Sequence, residues 1–586
     1  MHQLFLCGIA LIAAILFTPA SAQGDNKVLL VGIDGVQFEK LHTLNTPNFD
    51  RLYVEKAYTG GINGAASQQS TYSGPGWSTI LTGVWANKHD VTSNGSGLAN
   101  AAFPSLFRRI KDSDSNHWVG SIVNWSPINT QYFTQDLVHA DVVRSGLSDD
   151  DVVAEALDYI NVGVPDFLFL HLDEPDGVGH SSCFGSAYNR SIQDADQRLG
   201  QLLDAVQARI QAGEDWLVLV TTDHGRDAAG CGHGNQTTGE KTIFIGSNQP
   251  LNLEHTQFVS DISNTDFGSL YGHAAQTSIA PTVLRHLGIS LEKSWKLDGT
   301  PLLAETGLRK LLPGAESTAQ WYANSSAPVE VYRDGALVDT VDALIRTWTD
   351  LSNFKGTADY VFVQGQTPIA LRRTRLDISA AIDWNTSRAY YFRDDARYVR
   401  YNKTLDAADG GYPADVTNNT WPGLGDYRDL VVAAFKASTT KGYFFLSDGR
   451  YLRYDLNCDC VDNGYPKNID NVTWPGIAPY ATQIRAALKW PNSKVYFFLA
   501  DGSYLRYDLS GDSLDGGYPK PVNDSTWPGM ASYALDITAA HQWDNSRAYI
   551  FLTNQRYLRY DINNDQVDAG YPRPINGNTW PGLMLP

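Results

Sequence analysis

DFLFLHLDEPDGVGH, residues 166–180, changes character halfway along. Residues 167–172 are apolar except for His171. That length suits a strand buried on both faces and is too short for a core helix. Immediately after it, Asp173, Glu174, Asp176 and His180 crowd around Pro175 and two glycines. The same design recurs. KVLLVGID (27–34) and WLVLVTTDHG (216–225) are apolar runs that end in Asp34 and in Asp223-His224, and WVGSIVNW (118–125) is a fourth buried strand. Between the runs at 166–173 and 216–225, residues 190–210 place Leu199, Leu202, Leu203, Val206 and Ile210 on one helical face. Strand and helix alternate, so residues 23–305 are expected to form an α/β domain with a doubly wound, mostly parallel sheet.

In such a sheet, ligands bind beyond the carboxyl ends of the strands. Three loops carrying Asp and His there converge on one spot and predict a metal centre. Imidazole mixed with carboxylate suits Zn²⁺, whereas Mg²⁺ and Ca²⁺ prefer oxygen throughout. The ligands outnumber what one tetrahedral ion with an open position needs. Two ions about 4 Å apart, clamping a phosphoryl group, fit the count better.

Six motifs carry a resemblance. They are GIDG (32–35), TPNFDRL (46–52), SGPGWSTILTG (73–83), EPDGVGH (174–180), TTDHG (221–225) and QTSIAPTVLRHLGI (276–289). In this order they resemble the alkaline phosphatase superfamily, in particular its type I phosphodiesterase/nucleotide pyrophosphatase branch. The resemblance implies a phosphoric ester hydrolase with two zinc ions. Asp34, Asp223 and His224 would hold one ion, and Asp176, His180 and a third histidine the other. The branch places that histidine far downstream, at His273; other branches place it soon after the Asp-His pair, at His233. Cys183 follows His180 by three residues and Cys231 precedes His233 by two. If these cysteines are bridged, their Cα atoms lie within about 7 Å and the two histidines are neighbours, so His233 is favoured.

The family register of the terminal Thr-Gly picks Ser73 as nucleophile and as a zinc ligand. The local sequence agrees. Pro75 suits the first turn of a helix, Gly74 and Gly76 allow close backbone approach, and Ser73 then stands at a helix N-terminus, where anions are favoured. Thr71, Ser78, Thr79 and Thr82 are expected to serve as caps and helix contacts, with Ser78 the second choice for nucleophile. Gly74, Gly76, Asn94 and Asn124 are candidates to line the substrate pocket. The expected chemistry is attack of Ser73 on phosphorus, followed by hydrolysis of a phosphoryl-serine. Residues 61–87 contain no Lys or Arg, which favours a monoanionic diester over a monoester dianion. A sulfatase of the same superfamily is the nearest alternative, but Trp77 stands where sulfatases carry arginine.

The C-terminal third repeats. TWPG tryptophans fall at 421, 474, 527 and 580, GYP tyrosines at 412, 465, 518 and 571, and Y[VL]RY starts at 398, 451, 504 and 557. Every interval is 53 residues. Four copies of a strand-rich unit predict radial packing, with alanine pairs such as Ala380-Ala381 at the crowded axis. The pattern resembles hemopexin-type repeats over 374–586. That implies a four-bladed propeller with a single cation in its central channel and a role in binding a protein, glycan or matrix partner. His541 is the only histidine there, which argues against haem. A non-catalytic, adhesin-like secreted protein is the alternative from a different class. Residues 306–373 alternate in β fashion and predict a small β-module or structured linker.

Residues 1–22 read as a signal peptide ending at Ala20-Ser21-Ala22, and no later apolar run could span a bilayer. The expected location is secreted or periplasmic. Lys and Arg total 45 against 64 Asp and Glu, a net charge of −19, which argues against binding nucleic-acid backbone. Once Cys7 leaves with the signal, an even number of cysteines remains, as disulfides in an exported chain require. Cys458 and Cys460 are either bridged across one residue or left as free or intermolecular thiols.

Overall fold

The computed structural model describes residues 26–314, 318–352, 356–553, 555–575 and 579–584; the expected signal peptide and Cys7 lie outside them. The N-terminal part is built on eight strands: β1 (Asn26–Ile33), β2 (Tyr53–Tyr58), β3 (Val119–Val123), β4 (Val142–Ser145), β5 (Phe167–Leu172), β6 (Asp215–Thr221), β7 (Thr242–Ser247) and β8 (Ala274–Ala275). Their order in the sheet is β4-β3-β5-β1-β6-β7-β2-β8. The first five in that order are mutually parallel, and β7 runs antiparallel to both neighbours. The central strand β1 is buried on both faces. Val28 and Leu30 pack into one layer with Phe169, Leu217 and Leu219. Leu29 and Val31 pack into the other with Leu199, Leu202 and Val206. This period-two division of an all-apolar strand makes a three-layer domain.

Four helices matter for the site: α1 (Ser73–Thr82), α2 (Asp149–Asn161), α3 (Asp176–Ser182) and α4 (Ser186–Gln211). The amphipathic stretch 190–210 lies within α4. Beyond the sheet, a three-stranded and a four-stranded sheet occupy Arg309–Arg375. Arg309, fully buried, fastens this region to the first through Glu254 Oε2 at 3.0 Å and Gln257 Oε1 at 2.8 Å.

Four five-stranded antiparallel sheets follow, one per 53-residue repeat. Their innermost strands, Ile378–Asp383, Val431–Lys436, Ile484–Lys489 and Ile537–Gln542, contact one another in a closed ring. Each TWPG tryptophan is buried between neighbouring sheets; Trp421, for example, packs between Phe392 and Tyr454. This is the expected propeller.

One position in the ring departs from the others. His541 takes the place held by Ile382, Phe435 and Leu488 in the other blades. It is buried, with Nε2 2.9 Å from the Tyr391 hydroxyl. Burial pushes its pKa down from 6.5 to about 3. The unfolded chain therefore takes up a proton below pH 6.5 that the folded blade refuses, so stability is full above that pH and falls as pH drops toward 3. At pH 5 the propeller is expected to lose about 2 kcal/mol. Calorimetry of wild type and His541→Leu at pH 7.5 and 5 checks this: the variant should lose that part of the pH dependence.

Candidate active site

β5, β1 and β6 are adjacent, so their carboxyl ends bring the acids together. Asp34 follows β1, Asp176 opens α3 after β5, and Asp223-His224 follow β6; all four residues are buried. One cluster holds Asp34, Asp223 and His224, with His224 Nε2 3.2 Å from Asp223 Oδ2 and 3.5 Å from Asp34 Oδ1. The other holds Asp176, His180 and His233. His180 Nε2 is 3.1 Å from Asp176 Oδ2 and 3.0 Å from His233 Nε2. The clusters adjoin, since the His224 and His233 rings stack at 3.7 Å. Ser73 Oγ lies 3.3 Å from His224 Nε2, at the first residue of α1.

The donor set fits cations. Asp34 Oδ1 and Asp223 Oδ2 are buried and receive no hydrogen bond, a costly state unless another positive partner is present. Burial, then the nearby Asp34 and Asp176 carboxylates, pushes the Asp223 pKa well above the usual carboxylate range. Each histidine is held from behind by a backbone carbonyl: His224 Nδ1 by Gly225 at 2.8 Å, His180 Nδ1 by Cys231 at 3.1 Å and His233 Nδ1 by Thr71 at 2.9 Å. A proton on Nδ1 donating to that carbonyl leaves the Nε2 lone pair aimed at the centre, which is how metal-ligating imidazoles are oriented.

The second oxygen of Asp34 is committed to the protein. Oδ2 accepts from Trp77 Nε1 at 3.0 Å and from His171 Nε2 at 3.1 Å. His171 Nδ1 accepts from the Trp125 N–H at 3.3 Å, which places the imidazole proton on Nε2. His171 therefore has no lone pair left for an ion, although it lies with Asp173 beside Asp34. Gly32 explains how Trp77 reaches Asp34: a Cβ there would stand 2.3 Å from the indole ring. Only glycine lets α1 lay its tryptophan flat on β1. Trp77→Phe keeps the packing but removes the N–H, and should weaken metal binding about 10- to 100-fold, read by competition with a chromogenic chelator.

Of the pocket candidates, Asn94 is exposed and its Oδ1 accepts from the Gly74 N–H at 2.8 Å, so it sits over the start of α1. Gly76 faces inward, where a Cβ would stand 2.8 Å from the Asp223 Cβ. The Asn124 amide donates to Asp149 Oδ1 at 2.8 Å and is engaged with α2. Ser78 is wholly buried, Thr79 Oγ1 bonds Gln69 and Thr82 Oγ1 bonds the Ser78 carbonyl. His273 packs against Phe258 with ring centroids 4.8 Å apart and belongs to neither cluster. Cys183 and Cys231 are disulfide-bonded, with Cα atoms 4.1 Å apart, tying the end of α3 to the loop that carries His233. Cys458 and Cys460 are bridged as well.

Arg226 is a functional-site residue that sequence reasoning missed. It is buried, its Nη1 pairs with Asp176 Oδ1, and its Nε donates to the Gly230 carbonyl at 2.7 Å. Glu240 is another. Its Oε2 receives the Thr71 hydroxyl at 3.4 Å and the Thr237 N–H at 2.8 Å, while Thr71 Oγ1 accepts the Gly234 N–H at 3.0 Å. The residues before Ser73 and the loop after His233 are thereby locked together.

Residues 27–267 match the family described as Metalloenzyme superfamily. This region is a Metalloenzyme superfamily domain. Human ectonucleotide pyrophosphatase/phosphodiesterase family member 5 is 25% identical over 246 residues, covering 38% of this chain and 50% of that protein. A 2,3-bisphosphoglycerate-independent phosphoglycerate mutase of Haloquadratum walsbyi is 30% identical over 160 residues, covering 27% and 28%. The chain thus spans about half the length of the first curated relative and less of the second. The hemopexin fold protein CP4 from cow pea is 19% identical with a TM-score of 0.31, covering 35% of this chain and 96% of that one. The buried Asp34/Asp223/His224 cluster and the partly exposed Asp176/His180/His233 cluster lie in or beside the strand-end loops of this domain.

Proposed function

We propose that this chain is an exported phosphodiesterase that uses two zinc ions and a serine nucleophile. The observation that carries the reading is the juxtaposition of Ser73 Oγ, at a helix N-terminus, with two adjoining Asp/His clusters whose buried carboxylate oxygens Asp34 Oδ1 and Asp223 Oδ2 lack donors. Asp34, Asp223 and His224 would hold one ion, Asp176, His180 and His233 the other, with Ser73 beside the first. The mixed oxygen and imidazole set is what supports zinc.

Zinc supplies positive charge that acidifies an adjacent hydroxyl and offsets charge on phosphoryl oxygens. The chain does the rest. Ser73 Oγ attacks phosphorus in line, its bond forms as the ester oxygen departs, and a phosphoryl-serine results. Water then attacks the same phosphorus, releasing the monoester and restoring Ser73. The α1 N-terminus favours the anionic group, and Trp77 with His171 holds Asp34 in place. Arg226 engages Asp176 through Nη1 and the Gly230 carbonyl through Nε, so part of its donor capacity is already committed to the protein. Trp77, buried against β1, occupies the position where a sulfatase would carry arginine. These points favour a diester.

Export is supported by the N-terminal leader pattern and by two disulfides. No helix among the described residues is long and apolar enough to cross a membrane. The propeller is assigned to partner, glycan or matrix binding.

A panel of phosphodiester, phosphomonoester, phosphonate ester and sulfate ester sharing one leaving group tests the reading on zinc-loaded protein. The phosphodiester should turn over fastest; fastest sulfate turnover would replace the assignment with a sulfatase.

A further inference from the structure

The four blades keep their packing residues nearly unchanged, as the repeated TWPG, GYP and YLRY show. The last residue of each innermost strand is among the positions that differ in charge from blade to blade; it is Asp383, Lys436, Lys489 and Gln542 in turn. These residues line a cavity of about 740 Å³ at one end of the channel, which Ala381, Ala434 and Ala487 help keep open.

The charge of that cavity contrasts with the protein's net −19. Asp383 is already paired, accepting from Lys403 Nζ at 2.8 Å. Asp544, also on the rim, is paired with Arg547 at 2.8 Å. Lys436 donates to the Trp384 carbonyl at 2.5 Å and has no ion-pair partner, and Lys489 has none, among the described residues. The ammonium groups of Lys403, Lys436 and Lys489 outnumber the carboxylates of Asp383 and Asp544 around this concave site, where low-dielectric walls focus the net positive field. This is the wrong sign for a cation at this mouth. The volume exceeds a lone ion and falls within the range of small-ligand pockets, and Trp543, with Lys403 Nζ 5.0 Å from its ring centroid, forms part of the wall.

We propose that this mouth of the propeller binds an anionic ligand of sugar size, its sulfate or phosphate group held by Lys436 and Lys489. The proposal does not depend on the catalytic reading. Isothermal titration of the full-length protein with glucose 6-sulfate, inorganic sulfate, inorganic phosphate and glucose, at fixed ionic strength, tests it. Glucose 6-sulfate should bind at one saturable site, more tightly than inorganic sulfate, while glucose does not bind. Lys436→Gln/Lys489→Gln should weaken that binding at least about tenfold, or 1.4 kcal/mol, with the propeller melting transition retained, and Asp176→Asn should leave it unchanged. Equal affinity for the free ions would reduce the ligand to the oxyanion itself and overturn the sugar. Absence of saturation, an unaffected double variant, or loss of binding in Asp176→Asn would overturn the site.

Discussion

Ser73→Ala is expected to lower kcat on a phosphodiester by on the order of 10⁴-fold or more, while zinc content and the melting profile stay near wild type. The change removes one oxygen from a buried residue at the start of α1 and leaves both Asp/His clusters intact. Ser73 Oγ is 3.3 Å from His224 Nε2, so its loss subtracts the group proposed to bond to phosphorus and little else. Ser78→Ala supplies the contrast. That hydroxyl is buried five residues along the helix, without a hydrogen-bond partner, and its removal should change kcat by less than about threefold. Metal analysis and steady-state kinetics on both variants read the result. Near wild-type turnover in Ser73→Ala would end the assignment.

Metal removal is expected to be the second large effect, and on stability as well as rate. Asp34, Asp176 and Asp223 meet in a buried site where each raises the Asp223 pKa or shares its environment. Without cations, those charges face one another in low dielectric. Ions that bind only the folded state stabilise it by about 4 kcal/mol each at a thousandfold excess over Kd. A chelator should therefore abolish activity and lower the N-terminal melting transition by roughly 10 °C or more. The propeller transition, which shares none of these ligands, should not move. Zinc added back should restore both properties.

Much of this site was legible in the sequence because its parts are local. Asp34, Asp176 with His180, and Asp223 with His224 each stand next to an apolar run that announces a buried strand. Parallel packing then forces the loop ends together. The propeller was legible because a 53-residue period recurs four times. The cysteines pointed to His233, and with Cys183–Cys231 bonded His180 and His233 stand 3.0 Å apart while His273 packs elsewhere. What stayed hidden depends on long-range geometry. His171 is an isolated polar residue inside an apolar strand, 137 residues from the Asp34 it supports. Trp77 reads as core, and only the bare backbone of Gly32 lets its N–H reach Asp34. Arg226 and Glu240 carry no local pattern that marks them; each acts by filling the hydrogen-bond needs of a residue distant in sequence. The antiparallel turn of β7 was likewise unmarked, since TIFIGS is a short apolar run with no directional signal.

The stereochemical course at phosphorus tests the central claim most directly. A chiral phosphorothioate diester, turned over in the presence of an alcohol acceptor, reports how many in-line displacements occur, because each one inverts the centre. Attack by Ser73 followed by attack on the phosphoryl-serine makes two, so net retention of configuration is predicted. Net inversion would mean a single direct displacement and would contradict a serine nucleophile.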